Sequence, residues 1–206
     1  MILRGPAGDL EAVLDLPAAA PAQAPAAFAV VCHPHPLFGG TLTNKVVHTL
    51  ARSFNDQGLP ALRFNFRGVG ASAGTHDGGP GEVQDALAVV RHGRERWPQA
   101  RLWLAGFSFG AAVAVLASHE AQPAGLIAVA PAVDRMELAA VTPQCPWLVL
   151  LGDADEVVSP QRMLEWAGGL RPQPQVAVLA GAGHFFHGRL PELRDQVAAF
   201  LNQRPG

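Results

Sequence analysis

The chain has 206 residues, 49% apolar and 16% charged, with a formal net charge of −2. That length fits one domain, 1–206, with a full-sized core, and the balanced charge, without a basic patch or acidic tail, argues against nucleic acid as a partner. No apolar run reaches membrane-spanning length and Met1-Ile2-Leu3-Arg4-Gly5-Pro6 lacks the apolar region of a signal peptide, so a cytoplasmic protein that engages no membrane is expected.

Leu10 to Leu16 alternates apolar and polar residues as an edge strand does, and Ile2 to Arg4 can pair with it across Pro6-Ala7-Gly8-Asp9. Pro17 to Ala27 reads as an Ala/Pro-rich surface loop and Phe28 to Cys32 as a buried strand. Leu42 to Phe54 places Val46, Val47, Leu50 and Phe54 at helical spacing. Ala61 to Phe66 is a predicted strand, and Gly81 to Trp97 a helix carrying Val83, Leu87, Val90 and Trp97. Leu102 to Phe107 is a strand leading into an alanine-rich helix from Ala111 to Ser118. Strands follow at Leu126 to Ala130, Trp147 to Leu151 and Gln175 to Leu179. Pro160 to Leu170 and Pro191 to Leu201 are helices with proline in the first turn. Strands apolar on both faces that alternate with helices predict a mostly parallel sheet covered on both sides. Ligands of such sheets bind beyond the carboxyl ends of the strands, where His33, His35, Arg67, Ser108, Asp153, Asp155 and His184 all fall.

Gly106-Phe107-Ser108-Phe109-Gly110 is a Gly-x-Ser-x-Gly between a predicted strand and a predicted helix, the setting of a nucleophilic serine on a sharp turn. Gly70-Ala71-Ser72-Ala73-Gly74 has the same pattern but is followed by turn residues, Gly74-Thr75-His76-Asp77-Gly78-Gly79-Pro80, so Ser72 reads as a loop residue. A serine hydroxyl needs a base beside it, and the base needs an acid to orient it. After Ser108 the chain supplies Gly152-Asp153-Ala154-Asp155 and then Gly181-Ala182-Gly183-His184, each directly after a strand. Asp155 is the expected acid, with Asp153 tying its own turn and Asp134 as an outside alternative. His184 is the expected base, with His187 as a support or surface residue. The expected oxyanion donors are the N–H groups of Phe109 and of one residue in His33-Pro34-His35-Pro36-Leu37-Phe38-Gly39-Gly40. Pro34 and Pro36 carry no N–H, which leaves His35 or Leu37, and Leu37 is preferred.

These segments, with Asn44-Lys45 and Arg63-Phe64-Asn65-Phe66-Arg67-Gly68-Val69-Gly70-Ala71-Ser72, make the chain resemble the α/β-hydrolase superfamily along nearly its whole length. It is most similar to small cap-less bacterial hydrolases of the dienelactone hydrolase and carboxylesterase kind. The resemblance implies a sheet of about eight strands in which only the second runs antiparallel, and Ser108, Asp155 and His184 as a catalytic triad. The His-Pro-His-Pro stretch departs from the His-Gly of many relatives. Pro131 to Pro146 is too short to hold a helical lid.

The alternating His33 and His35 lack a third ligand at metal-motif spacing, so no metal and no cofactor is expected. Hydrogen bonds that pin the oxyanion loop are their expected work. Cys32 and Cys145 are far apart in sequence, and Cys32 reads as a small core residue. Arg67 is expected to clasp its own turn, and Asn44 to cap a helix. Phe38, Phe107, Phe109, Phe185 and Phe186 either line an acyl pocket or pack beneath the turn. The expected activity is a serine hydrolase, a carboxylesterase that cleaves small short-chain esters through an acyl-enzyme. Thioesterase, acyltransferase and peptidase share this chemistry, and a non-catalytic binding scaffold is the reading from another class. The composition leaves the oligomeric state open.

Overall fold

The computed structural model describes residues 1–18, 24–134, 136, 138 and 141–203. Part of the expected Pro17–Ala27 loop, 19–23, lies outside the described residues. Eight strands form one sheet, β1 (Ile2–Gly5), β2 (Gly8–Asp15), β3 (Ala27–Cys32), β4 (Ala61–Phe64), β5 (Arg101–Phe107), β6 (Gly125–Val129), β7 (Trp147–Gly152) and β8 (Gln175–Leu179). Their order is β1-β2-β4-β3-β5-β6-β7-β8. Only β2 runs against its neighbours; every other pair is parallel. The helices are α1 (Lys45–Asp56), α2 (Pro80–Arg96), α3 (Phe109–Ala121), α4 (Pro160–Gly169) and α5 (Leu190–Asn202). Helix α1 packs with α5 and α2 packs with α3, while α1, α2 and α3 all lie on β3. The two pairs therefore cover opposite faces of the sheet.

Strands β3, β6 and β7 are buried at every residue, as strands sandwiched between helices must be, and this is why they read as unbroken apolar runs. Between β6 and β7, the described residues of 130–146 form no helix. The architecture is the α/β-hydrolase fold. Among the described residues, no helix is long and apolar enough to cross a membrane.

Two boundaries differ from expectation for reasons the side chains supply. The strand predicted to reach Phe66 stops at Phe64. Beyond it, the Asn65 carbonyl accepts the Ser72 hydroxyl at 2.7 Å and the Phe66 N–H donates to the His33 ring at 3.0 Å, so this backbone is withdrawn from the ladder. Helix α1 begins at Lys45 because the Asn44 side chain caps it, accepting from the Val46 N–H at 2.9 Å.

The antiparallel strand is locked by a paired charge. Arg63 on β4 donates through Nε and Nη2 to both oxygens of Asp15 on β2, at 2.6 and 2.8 Å, and through Nη1 to the Leu42 carbonyl at 2.6 Å. The Arg63 side chain is 8% exposed. Removing one partner of such a pair leaves a buried charge without compensation, at a cost of about 3 kcal/mol or more. Asp15→Ala should therefore lower unfolding stability in urea by that amount. Asp9→Ala, which removes an exposed partner of Arg4, should leave the midpoint where it is.

Candidate active site

The sharp turn at Ser108 is built by a close backbone approach. A Cβ on Gly106 would lie 2.2 Å from the Gly110 carbonyl oxygen, and one on Gly110 would lie 2.3 Å from that of His33. With glycine at both places the start of α3 sits directly against the ends of β5 and β3. Ser108 takes a left-handed backbone, φ 56° and ψ −117°, which costs a residue bearing a Cβ on the order of 1–3 kcal/mol. Its N–H donates to the Val129 carbonyl at 2.8 Å, and its carbonyl accepts from Ala111, Ala112 and Ala132. The surroundings thus impose the turn.

Ser108, His184 and Asp155 come together. His184 Nε2 is 3.0 Å from Ser108 Oγ, and His184 Nδ1 is 2.8 Å from Asp155 Oδ2. An ionised carboxylate only accepts, so Nδ1 carries the proton and Nε2 is the acceptor for the serine hydroxyl. Asp155 is fixed in turn, since its Oδ1 accepts the N–H groups of Val157 and Val158, both at 2.8 Å. The His184 ring packs on the fully buried Phe107, centroids 5.0 Å apart. Glu156 accepts the His184 N–H at 3.2 Å. Its contribution was not anticipated from sequence, where it is one more acid in an acidic loop. A hydroxyl, an imidazole and a carboxylate in this line can pass a proton from the hydroxyl to the ring and hold the charge that forms.

The rival residues are engaged elsewhere. Asp153 accepts the Gly181 N–H at 2.6 Å, which ties its loop to the one carrying His184. Asp134 pairs with Arg162 at 2.7 Å. His187 Nδ1 lies 2.8 Å from Lys45 Nζ. Ser72 bridges the Asn65 carbonyl and the Glu11 N–H, a cross-link between β2 and the loop after β4. Arg67 forms a forked pair with Asp85 of α2 and reaches Asp77.

The loop after β3 departs from expectation at Leu37. The Leu37 N–H is taken by the His35 ring nitrogen Nδ1 at 3.2 Å inside a tight turn over Pro36–Phe38, and the side chain is 71% exposed. That amide serves its own turn. Phe109 begins α3, where an N–H has no carbonyl four residues behind it. His35 lies against Phe109, ring centroids 4.9 Å apart. Together they flank Ser108 in a cavity of 340 Å³, lined also by Phe38, Asn44, Val158 and Phe185. Phe107 and Phe186 are fully buried and pack beneath the turn, not in the cavity. Among the described residues, no three His, Cys, Asp or Glu side chains cluster to hold a metal. Larger hollows of 580 and 500 Å³ lie along α1 and α5, away from these strand ends.

The family model described as serine aminopeptidase, S33 (Hydrolase_4) matches residues 25–144, more than half of the chain. The chain belongs to this family of α/β serine hydrolases. The match takes in the turn at Ser108 and stops before Asp155 and His184. An uncharacterised protein of Rickettsia prowazekii is 34% identical over 187 residues, 85% of this chain and 79% of the relative. The α/β serine hydrolase without lid XC6422 of Xanthomonas campestris is 41% identical with a TM-score of 0.96, over 100% of this chain and 94% of that one. An α/β serine hydrolase homologue of Coxiella burnetii is 42% identical with a TM-score of 0.93, over 98% and 96%.

In this serine hydrolase the oxyanion-side loop is held by a neutral histidine. His33 is fully buried; its Nε2 accepts the Phe66 N–H at 3.0 Å and its Nδ1–H donates to the Pro34 carbonyl at 2.6 Å. Burial pushes its pKa from the ordinary 6.5 down to about 4, against the smaller opposing effect of the Pro34 bond. An unfolded chain takes up a proton below 6.5 that the folded one refuses until about 4, so this stability is present above 6.5 and lost as the pH falls through that window. Between about pH 7.5 and pH 4.5, wild type should lose about 2.5 kcal/mol more unfolding stability than His33→Gln, read from urea titrations at the two pH values.

Proposed function

We propose that this hydrolase is a carboxylesterase acting on small, short-chain esters. The observation that carries the reading is the unbroken hydrogen-bonded line from Asp155 through His184 to Ser108, which ends in a small open cavity. Ser108 Oγ attacks the ester carbonyl as His184 Nε2 takes its proton, and the charged ring is held by Asp155. The oxyanion is met by the Phe109 N–H and by a second N–H from the loop after β3, in which Pro34 and Pro36 have none to give. His184 then protonates the departing alcohol. A water that loses its proton to His184 cleaves the acyl-enzyme and returns Ser108.

The cavity supports small substrates: 340 Å³ is at the low end for ligand sites. Phe38, Phe109, Val157, Val158 and Phe185 give it apolar walls for a short acyl chain. With no lid, soluble esters enter without a closing motion. An ester is favoured over a peptide with a free amino end because no Asp or Glu is among the described residues lining the cavity, so an α-ammonium would find no counter-charge there.

A fluorophosphonate probe should label wild type and Ser72→Ala and spare Ser108→Ala. The same Ser108→Ala protein should lose about 1,000-fold or more in kcat/KM on p-nitrophenyl butyrate. Ser72→Ala should instead lose about 2 kcal/mol of unfolding stability, since the Glu11 N–H and Asn65 carbonyl lose their partner. Labelling that survives Ser108→Ala would remove Ser108 from its role. Wild type inert toward p-nitrophenyl esters and thioesters of every chain length would favour the non-catalytic scaffold.

A further inference from the structure

The chain has 15 lysine and arginine residues, and Lys45 is its only lysine. It stands at the first position of α1, where the positive end of the helix dipole opposes a cation. It is half-buried, and among the described residues no carboxylate lies within ion-pair distance of it. Elsewhere in the chain, cross-links between segments are made by arginines facing carboxylates, as in Arg63 with Asp15 and Arg162 with Asp134. A lysine is a compact point charge with three rotatable donors, and this one sits where neither helix nor ion pair calls for it.

Its neighbours share one character. Lys45 Nζ donates to His187 Nδ1 at 2.8 Å. An ammonium has no acceptor, so Nδ1 accepts and the ring proton is on Nε2, a second donor. Asn44 lines the cavity, and its Oδ1 is turned to the Val46 and Val47 N–H groups. The group it has left to offer is therefore its Nδ2 amide, a third donor. Phe185, 5.9 Å from the His187 ring, lines the same cavity and places the cluster beside it. The carboxylates of the loops after β6 and β7 have other partners: Asp155 His184 and two amides, Glu156 the His184 N–H, Asp153 the Gly181 N–H and Asp134 Arg162.

We propose that Lys45, with Asn44 and His187, forms a carboxylate-recognition site beside the cavity, and that the preferred substrates are esters bearing a second, ionised carboxyl group. This rests on the ester-hydrolase reading above and names its substrate class. The carboxylate sits on either the acyl or the alcohol side of the scissile bond.

Binding is measured by calorimetry on Ser108→Ala protein, which holds an ester uncleaved. Two anionic probes are used, mono-p-nitrophenyl glutarate with the charge on the acyl side and 4-acetoxybenzoate with the charge on the alcohol side. Each is compared with a neutral counterpart, p-nitrophenyl pentanoate and phenyl acetate. One anionic probe should bind about fivefold more tightly than its counterpart, the scale of a charge-assisted hydrogen bond near solvent. That ratio should vanish when Lys45→Met is added and should shrink as sodium chloride is raised. The probe that shows it identifies the side. The proposal is overturned if neither anionic probe gains over its counterpart, or if the gain persists in Lys45→Met. It is equally overturned if that substitution weakens both members of a pair alike, as a merely structural lysine would. Failure of the ester-hydrolase reading shows separately, as wild type that binds these esters and hydrolyses none.

Discussion

The site depends on one close approach of backbone to backbone. The start of α3 lies so near the end of β3 that no side chain fits between them at Gly110, and so near β5 that none fits at Gly106. This contact puts Ser108 at the crest of the turn and leaves the serine in a conformation it would not choose alone. Packing on both faces of the sheet supplies the stability that sustains it. Helix α3, buried almost all round, cannot retreat from β3 without opening the core.

Around that contact, side chains cross-link the loops at the carboxyl edge of the sheet. His33 joins the loop after β3 to the one after β4. Asp85 and Asp77 hold Arg67, and the fully buried Glu82 accepts from His76 and from the Gly79 amide. His76 in turn lies against both His35 and Phe109. Asp153 ties the loop after β7 to the loop after β8. The ties of His33, Asp85 and Glu82 satisfy buried polar groups, and all of them remove a freedom from the loops that meet at Ser108, which is what a preorganised site requires.

The sheet was legible in the sequence because its central strands are buried on both faces and carry no polar interruption. The choice of Ser108 over Ser72 was legible for a related reason: only one of the two pentapeptides stands between a strand and a helix. What could not be read was where individual amides point. Leu37 and His35 are both non-proline residues in one proline-rich stretch, and the Leu37 amide is withdrawn by a hydrogen bond to a side chain two residues back, a matter of rotamer and not of pattern. The end of β4 was overestimated likewise. Phe66 continues the alternation of Leu62 and Phe64, yet its N–H is claimed by His33, thirty-three positions earlier in the chain. Val157 and Val158 reach the cavity because Asp155 pulls their amides inward, which no periodicity announces.

That grip on Asp155 makes its carboxylate directional. One oxygen is committed to two backbone N–H groups and the other to the imidazole. The amide introduced by Asp155→Asn has one acceptor end and one donor end, and the two N–H groups would claim the acceptor. The NH₂ would then face His184 Nδ1, forcing that nitrogen to accept and moving the ring proton to Nε2, where it points at the Ser108 hydroxyl. The histidine would still touch the serine, but as a donor. A single oxygen-to-nitrogen exchange would thus leave the shape of the site intact and reverse the polarity of its hydrogen-bonded line.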